Sequence, residues 1–577
     1  MKIKFKKEIK EKVAAKEIVE TILSTRKIDD IESFLNPPSP VNISLFDFDK
    51  KYKEEFKKVI ELLTAIKKNN RMIVVYTDYD ADGITGGAIL WETLYLLGFK
   101  VMPYVPDRKK EGYGFSKIGI DNVIRQFNPT LIISVDHGIT KIKEVEYTKQ
   151  KGVKVIITDH HLKGELVPKA DAIFHIPVLS GSGVAYFFAK EIFKNFKSQT
   201  NNYSQLNVNF SSDYLSLASI GTVADLVPLI GPSRSLVKYG LEVFHRLKRV
   251  GIRQILKEAG IENRKITPHE IGFIIAPRIN AAGRLENAIN ALRLLCTTKE
   301  KRAADLALHL GEKNRQRQDI LEKSVNEAIT LLKKQSNELS NLPKIIVLKN
   351  DHWHEGIIGL IAAKITEKFY RPTIVLTKND GVYKASARSI PGFHITNFLR
   401  ELKEFLIDVG GHEQAAGFSV EESQLPAFIK IARQSAEKKI NEKILERQIT
   451  TDLKIPIDLI NLQLAKLLEK LQPFGIGNPQ PLFYSEGILT GAQFFGTTQQ
   501  HLKIFVSDSS STTYPLQPTT SLELLAFNQS SLFSHLSRRQ KLEVVYTIEV
   551  DRWGEKERVR GKIVHLITDK KTMLKKV

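Results

Sequence analysis

The sequence predicts an α/β protein in which a parallel-sheet domain is joined by a helical linker to a smaller α/β domain and then to a β-barrel. Three patterns carry this expectation. Between about Met72 and Leu229, β-branched runs alternate with helical segments, as in a helix-covered parallel sheet. From about Ser233 to Gln335 the apolar spacing is mostly helical. Beyond Gln448, short strand-like runs are separated by turn-rich stretches, which suits a small sandwich or an OB-like barrel.

In chain order, residues 1–45 open with MKIKFKKEIKEKVAAKEIVETIL, which mixes acids with its lysines and has no apolar h-region. It reads as an amphipathic helix, not a signal peptide. Residues 46–232 hold the parallel sheet. RMIVVYT, KVMPYVP, LIISVD and VKVIITD are its strands, and TGGAILWETLYLLG and KEVEYTKQKG are helices between them, the second closed by Gly152. Residues 233–338 form the connector, whose proline-free KEKRAADLALHLGEKNRQRQDILEKSVNEAITLLKKQ is one long helix or two. Residues 339–447 form the second α/β unit, with PKIIVLK and PTIVLT as strands and GIIGLIAAKITEKF as a helix. Residues 448–577 form the all-β unit.

The chain carries a net charge of +21, which points to a polyanionic partner, nucleic acid first among them. The single Cys296 excludes an intramolecular disulfide framework and a cysteine-rich zinc site. No apolar run approaches the ~18 residues of a membrane span. A soluble, cytoplasmic protein with no membrane contact is expected.

Against this basic background stands an acidic constellation. Three strand candidates end in polar clusters: Asp78-Tyr79-Asp80-Ala81-Asp82 before Gly83, Asp136-His137-Gly138, and Asp159-His160-His161. Ligands of open parallel sheets bind at the carboxyl ends of strands, so these groups converge on one crevice. On extended chain Asp78, Asp80 and Asp82 would share one face. A fourth acid, Asp225 in ASIGTVADLVPL, sits in an apolar setting and needs a partner. Converging carboxylates raise each other's pKa, and divalent cations relieve that repulsion. Carboxylates with one or two imidazoles suit manganese, magnesium or zinc. Two such ions clamp a phosphodiester and activate water. A dinucleotide loop is excluded, because no GxGxxG is present and three carboxylates would repel a bare pyrophosphate.

DYDADG, VDHG, TDHH and GTVADLVPL, in that order, resemble the four motifs of the DHH phosphoesterase superfamily. PRINAAGR, WHEGIIGLIAAKI, SARSIPGF and GGHEQAAGF resemble the DHH-associated domain of the RecJ family, and LQPFGIGNPQPLF resembles the approach to its OB fold. The resemblance covers nearly the whole chain. It implies a single-stranded-DNA-specific 5′→3′ exonuclease of recombination and repair that releases 5′-mononucleotides, with two Mn2+ or Mg2+ ions. The three main units become a DHH catalytic domain, a DHH-associated substrate-binding domain and an OB fold.

By that resemblance Asp80, Asp82, Asp136, His160 and Asp225 are metal ligands and catalytic groups, and Asp78 and His161 are further ligands or supports for them. Arg108 approaches a substrate phosphate. Ser386, Arg388 and Ser389 hold the 5′-terminal phosphate. Arg278, Asn280 and Arg284 line the DNA path, and His354 and His412 sit near the scissile group. Gly410-Gly411 permits close backbone approach to a ligand, and arginine gives bidentate phosphate contacts. Trp553, Tyr546 and Phe505 are candidate base stackers in the barrel. Two departures bear on the metal site: Tyr76 stands where related pyrophosphatases have a histidine, and His137 where the family more often has asparagine. The implied partners are single-stranded DNA, a single-stranded-DNA-binding protein and a repair helicase, with the enzyme a monomer. Two alternatives stay open at this point: a DHH-type phosphodiesterase of oligoribonucleotides or cyclic dinucleotides, and a non-catalytic nucleic-acid scaffold.

Overall fold

The computed structural model describes residues 2–112, 114–199, 209–335, 342–379, 381–508, 521–552, 556–568 and 571–572. The chain begins with a strand, β1 (Lys2–Glu8), before the helix Ala15–Thr25. This corrects the expected N-terminal helix. KIKFKKE places Ile3 and Phe5 two apart, a strand period, and helical spacing starts only at Ala15. β1 pairs in parallel with β12 (Gln448–Lys454), Ile3 opposite Ile449. The two chain regions are further held together by Asp452, which pairs with Lys6 and with the buried Arg26.

The first sheet contains β2 (Ile73–Thr77), β3 (Val101–Tyr104), β4 (Leu131–Val135), β5 (Lys154–Asp159) and β6 (Ala172–His175) in the order β3-β2-β4-β5-β6, all parallel. β2 and β4 are buried along their whole length, which explains their unbroken β-branched runs. One core packs the helices Ala81–Leu96 and Gly181–Phe196 against this sheet. That core continues through Ile252, Ile275 and Leu310, so most of the connector packs as part of the first domain. The run Glu300–Gln335 is a single helix. It leads to a second, mixed sheet of β7 (Ile346–Lys349), β8 (Thr373–Asn379), β9 (Val382–Arg388), β10 (Asp408–Gly411) and β11 (Ala415–Glu421), in the order β10-β11-β9-β8-β7.

The barrel is built from β12, β13 (Phe483–Phe495), β14 (His501–Ser507), β15 (Leu522–Ala526), β16 (Lys541–Asp551) and β17 (Arg558–Thr568). β13 pairs with both β14 and β16, which curls the sheet on itself. The helix Ala15–Thr25 buries Ile18, Ile22 and Leu23 in the same core as the barrel. No helix of the described residues is long and apolar enough to cross a membrane.

Candidate metal and nucleic-acid site

The acidic motifs converge at the carboxyl ends of β2, β4 and β5. They do so through a turn, not through extended chain: β2 ends at Thr77, Asp80 caps the next helix, and Asp82 lies in its first turn. Asp80 Oδ1 accepts the backbone N–H groups of Asp82 and Gly83, both at 3.0 Å. Gly83 is required here, because a Cβ would lie 2.8 Å from the Asp78 backbone. The extended face expected from spacing is therefore replaced by a cap, which is what Asp followed by a helix start favours.

Each acid is held differently. Asp82 receives the N–H groups of Gly181 (2.6 Å) and Ser182 (2.9 Å), at the start of the helix Gly181–Phe196. The dipole and free N–H groups of a helix N-terminus stabilise its negative charge. Asp136 has a left-handed φ of 68° and is 2% exposed. His160 Nε2 lies 3.1 Å from Asp136 Oδ1, 3.4 Å from Asp225 Oδ2 and 3.9 Å from Asp82 Oδ2. Asp159, a strand-end residue outside the expected ligand set, accepts from the backbone N–H groups of His160 and His161 and pairs with His161 Nδ1 at 2.8 Å. That bond fixes the orientation of the His161 ring.

The electrostatics describe a cage that resists being charged. Burial, then Asp82, Asp80 and the other acids, pushes Asp136 well above the usual carboxylate range. Burial and Asp80 do the same to Asp78. Asp225 is pushed up to about 8 by burial, Asp82 and Asp80. Burial would lower His161, but its bond to Asp159 wins and raises it to about 9.

These residues fit divalent cations. Potential ligand atoms of Asp136, His160 and His161 lie within 4.8 Å of one another, as do those of Asp82, His160 and Asp225 and those of Asp78, Asp80 and Asp136. Asp136 and His160 each serve two of these groups. Asp78 Oδ2, Asp136 Oδ1 and His160 Nε2 are buried without a hydrogen-bond partner among the described residues. Buried orphan polar atoms cost free energy, and divalent cations held by these residues would remove that cost. The oxygen-rich donor set with one or two imidazoles suits Mn2+ or Mg2+.

Tyr76 and His137 lie outside the cage. Tyr76 is fully buried, donates to Gly114 O at 3.2 Å and packs edge-on against His137, ring centroids 5.1 Å apart. His137 stacks on Phe115, and burial lowers its pKa to about 3. Tyr76 belongs to the small core with Val74, Phe115 and Ile132, His137 packs against its Tyr76 and Phe115, and neither is among the clustered donor groups.

The second domain approaches through arginines. Arg284 donates to Gly356 O at 3.0 Å across the junction. Its pKa is lowered by burial and by Arg108, Arg317 and Arg388 nearby. Arg388 donates to Ser386 Oγ at 3.1 Å, and Gly359 leaves room for both, its absent Cβ lying 3.0 Å from each. Arg108 lies over the Tyr79 ring at 5.4 Å. Among the described residues Arg108, Arg284 and Arg388 pair with no carboxylate. Arg317, which no motif singles out, shares that state. His354 Nδ1 accepts from Gly356 N–H at 3.0 Å beside the same turn. His412 is exposed next to Gly411, whose φ of 145° and close approach to Ala415 O demand glycine.

Three of the residues expected to contact DNA also make bonds within the protein. Arg278 is committed to Glu258 at 2.6 Å and to Ile274 O. Asn280 accepts the Ala81 N–H at 2.7 Å and so braces the Asp80–Asp82 turn. Ser389 is buried and donates to Phe393 O at 2.6 Å. In the barrel, Tyr546 is buried and bonded to Ser485, Phe505 is half-buried, and Trp553 lies outside the described residues.

Residues 72–222 match the DHH family N-terminal domain, 342–438 the DHHA1 domain and 451–565 the RecJ OB domain. The single-stranded-DNA-specific exonuclease RecJ of Haemophilus influenzae is 31% identical over 92% of this chain and 91% of its own length. The chain belongs to the RecJ family. The Bacillus subtilis RecJ is 30% identical over 96% of this chain and 68% of its own length. RecJ from Thermus thermophilus in complex with Mn2+ is similar in structure, with a TM-score of 0.76 and 26% identity over 99% of this chain and 80% of that one. Exonuclease RecJ bound to manganese gives a TM-score of 0.56 at 32% identity, over 67% of this chain and 95% of that one.

Proposed function

We propose that the protein is a metal-dependent exonuclease that degrades single-stranded DNA from the 5′ end and releases 5′-mononucleotides. The observation that carries this is the buried carboxylate–histidine cage built around Asp136, with Arg284 and Arg388, which pair with no carboxylate among the described residues, at the junction with the second domain. Family membership supports the substrate class. Asp78, Asp80, Asp82, Asp136, His160 and Asp225 would hold two Mn2+ or Mg2+ ions. Such ions, when bound, neutralise phosphate charge and make water a nucleophile at neutral pH.

The chain's own residues do the rest. The helix N-terminus at Gly181 locks Asp82, and Asp159 orients His161. Arg388 and Ser386 bind the terminal phosphate, with Arg284 and Arg108 along the strand. Water attacks the second phosphorus and the P–O3′ bond breaks. The first nucleotide leaves with a 3′-hydroxyl, and the shortened strand carries a new 5′-phosphate. Each turnover therefore regenerates the group that Arg388 recognises. We extend the reading, on the family resemblance, to a cytoplasmic monomer working beside a single-stranded-DNA-binding protein and a repair helicase.

The test compares 5′- and 3′-labelled single strands, duplex and RNA with Mn2+. Early release of labelled mononucleotide from the 5′ end of single strands alone is expected. Asp136→Ala should abolish release while strand binding remains, and retained turnover would refute the metal assignment.

A further inference from the structure

Beyond the cage, an uncharged strip leads from Asp225 toward the barrel. In Leu226–Ile230 exposure alternates: Val227 and Leu229 are buried, and Leu226, Pro228 and Ile230 face solvent. Both faces are apolar, whereas a half-buried extended segment ordinarily turns polar residues outward. Leu226 is 67% exposed and has a left-handed φ of 60°. That conformation closes the helix Asp213–Ala224, with Leu226 N–H donating to Val223 O at 3.3 Å, as the residue after a helix cap often does; it leaves the leucine side chain in solvent beside the cage.

The strip runs on to the turn before β13. Leu229 N–H donates to Ile476 O at 2.7 Å, and a Cβ on Gly477 would touch Pro228 and lie 3.6 Å from Ile230. Ser233, three residues beyond Ile230, donates to Val178 O at 2.6 Å. Val178, Ile230 and Ile476 are 56%, 47% and 51% exposed. Residues 226–236, 472–482 and 176–182 contain no acid. One end of the strip is Asp225 of the cage. The other is the turn before β13, at the foot of the barrel. Exposed apolar side chains grouped in this way mark a binding surface.

We infer that Val178, Leu226, Ile230 and Ile476 form a dry track for the unpaired bases of the strand between the cage and the barrel. This deepens the proposed function and rests on it. A single strand can turn its bases onto such a track. A duplex hides its bases and gains nothing there, so the track selects single strands by chemistry in addition to any narrowing of the passage.

The test measures binding of a thymidine oligonucleotide of about 20 residues and an abasic strand of equal length, in EDTA so that neither is cut. The variant is Leu226→Asn/Ile230→Ser/Ile476→Ser. Asparagine tolerates the left-handed conformation, serine is a favoured residue at the helix cap that Ile230 occupies, and the Ile476 carbonyl is kept. Wild type should bind the thymidine strand more tightly than the abasic one. The variant should lose about tenfold of that preference, with the salt slope unchanged because no charge is removed. Leu226→Asn alone should lose part of it. A variant that keeps the full preference, a wild type that shows none, or an equal loss for both strands would overturn the track. Absence of Mn2+-dependent hydrolysis by wild type, with the base preference intact, would instead overturn the exonuclease reading.

Discussion

Gly181→Ala sets two physical effects against each other. Gly181 is the first residue of the helix Gly181–Phe196. On helix propensity alone, alanine would stabilise by up to about 1 kcal/mol. The site argues the reverse. A Cβ there would lie 2.5 Å from both Cγ and Oδ1 of Asp136, against 3.4–4 Å for ordinary van der Waals contact. Something must move by about 1 Å, a displacement that can cost roughly 100-fold when it falls on reacting groups. Asp136 cannot yield cheaply, because its Cβ is also in the clash and its backbone is pinned at φ 68°. The helix start cannot yield either without loosening the Gly181 and Ser182 bonds to Asp82. The expected outcome is a folded protein whose melting temperature is lowered by the clash, the helix-propensity gain offsetting only part of it. Its Mn2+ half-saturation should be about 10–100-fold higher and its turnover about 100-fold lower at limiting metal, with partial rescue at high Mn2+. The assay is a Mn2+ titration of mononucleotide release beside a thermal melt. Turnover and half-saturation within about twofold of wild type would refute the claim that this glycine makes room for the cage.

Three further outcomes follow from the same geometry. Arg388→Ala should reduce the preference for 5′-phosphate over 5′-hydroxyl ends by about 10-fold or more, and an unchanged ratio would remove Arg388 from the phosphate site. Metal binding should strengthen with pH: Asp225 is raised from 3.8 to about 8 in the metal-free fold, so its stability contribution is fully present below about pH 4 and is lost as pH rises toward 8. A bound cation reverses that loss, so the Mn2+-induced rise in melting temperature should grow between about pH 5 and pH 8, and a flat increment would contradict the coupled cage. Tyr76→His should destabilise the fold by about 2–3 kcal/mol through the cavity left beside Phe115 and Tyr104 without changing the number of metals bound per chain, counted by calorimetry.

The parts of the site that were legible in the sequence are those whose geometry is local. Asp136 follows a fully buried strand and His160 one buried but for its first residue, and the end of a parallel strand is where ligands collect. Asp225, in an apolar setting, announced the need for a partner by its cost. Residues with the same letters but different neighbours could not be sorted this way. Arg278 and Arg284 share one motif, yet Glu258 takes the first and the second pairs with no carboxylate among the described residues. Asn280, expected on the DNA path, also braces the Asp80 turn through its Oδ1. Tyr546 looked like a stacker and is core.

The sequence by itself determined the order of domains, the parallel sheet and the presence of a metal-binding acid cluster, because hydrophobic period and strand-end chemistry are written residue by residue. Only the tertiary structure decided that the first strand completes the barrel sheet, that Tyr76 and His137 lie outside the cage, and that Leu226, Ile230 and Ile476 lie on one uncovered track. Each of these depends on which distant segment supplies the neighbour. Burial and pairing are properties of the folded neighbourhood, and no spacing along the chain encodes them.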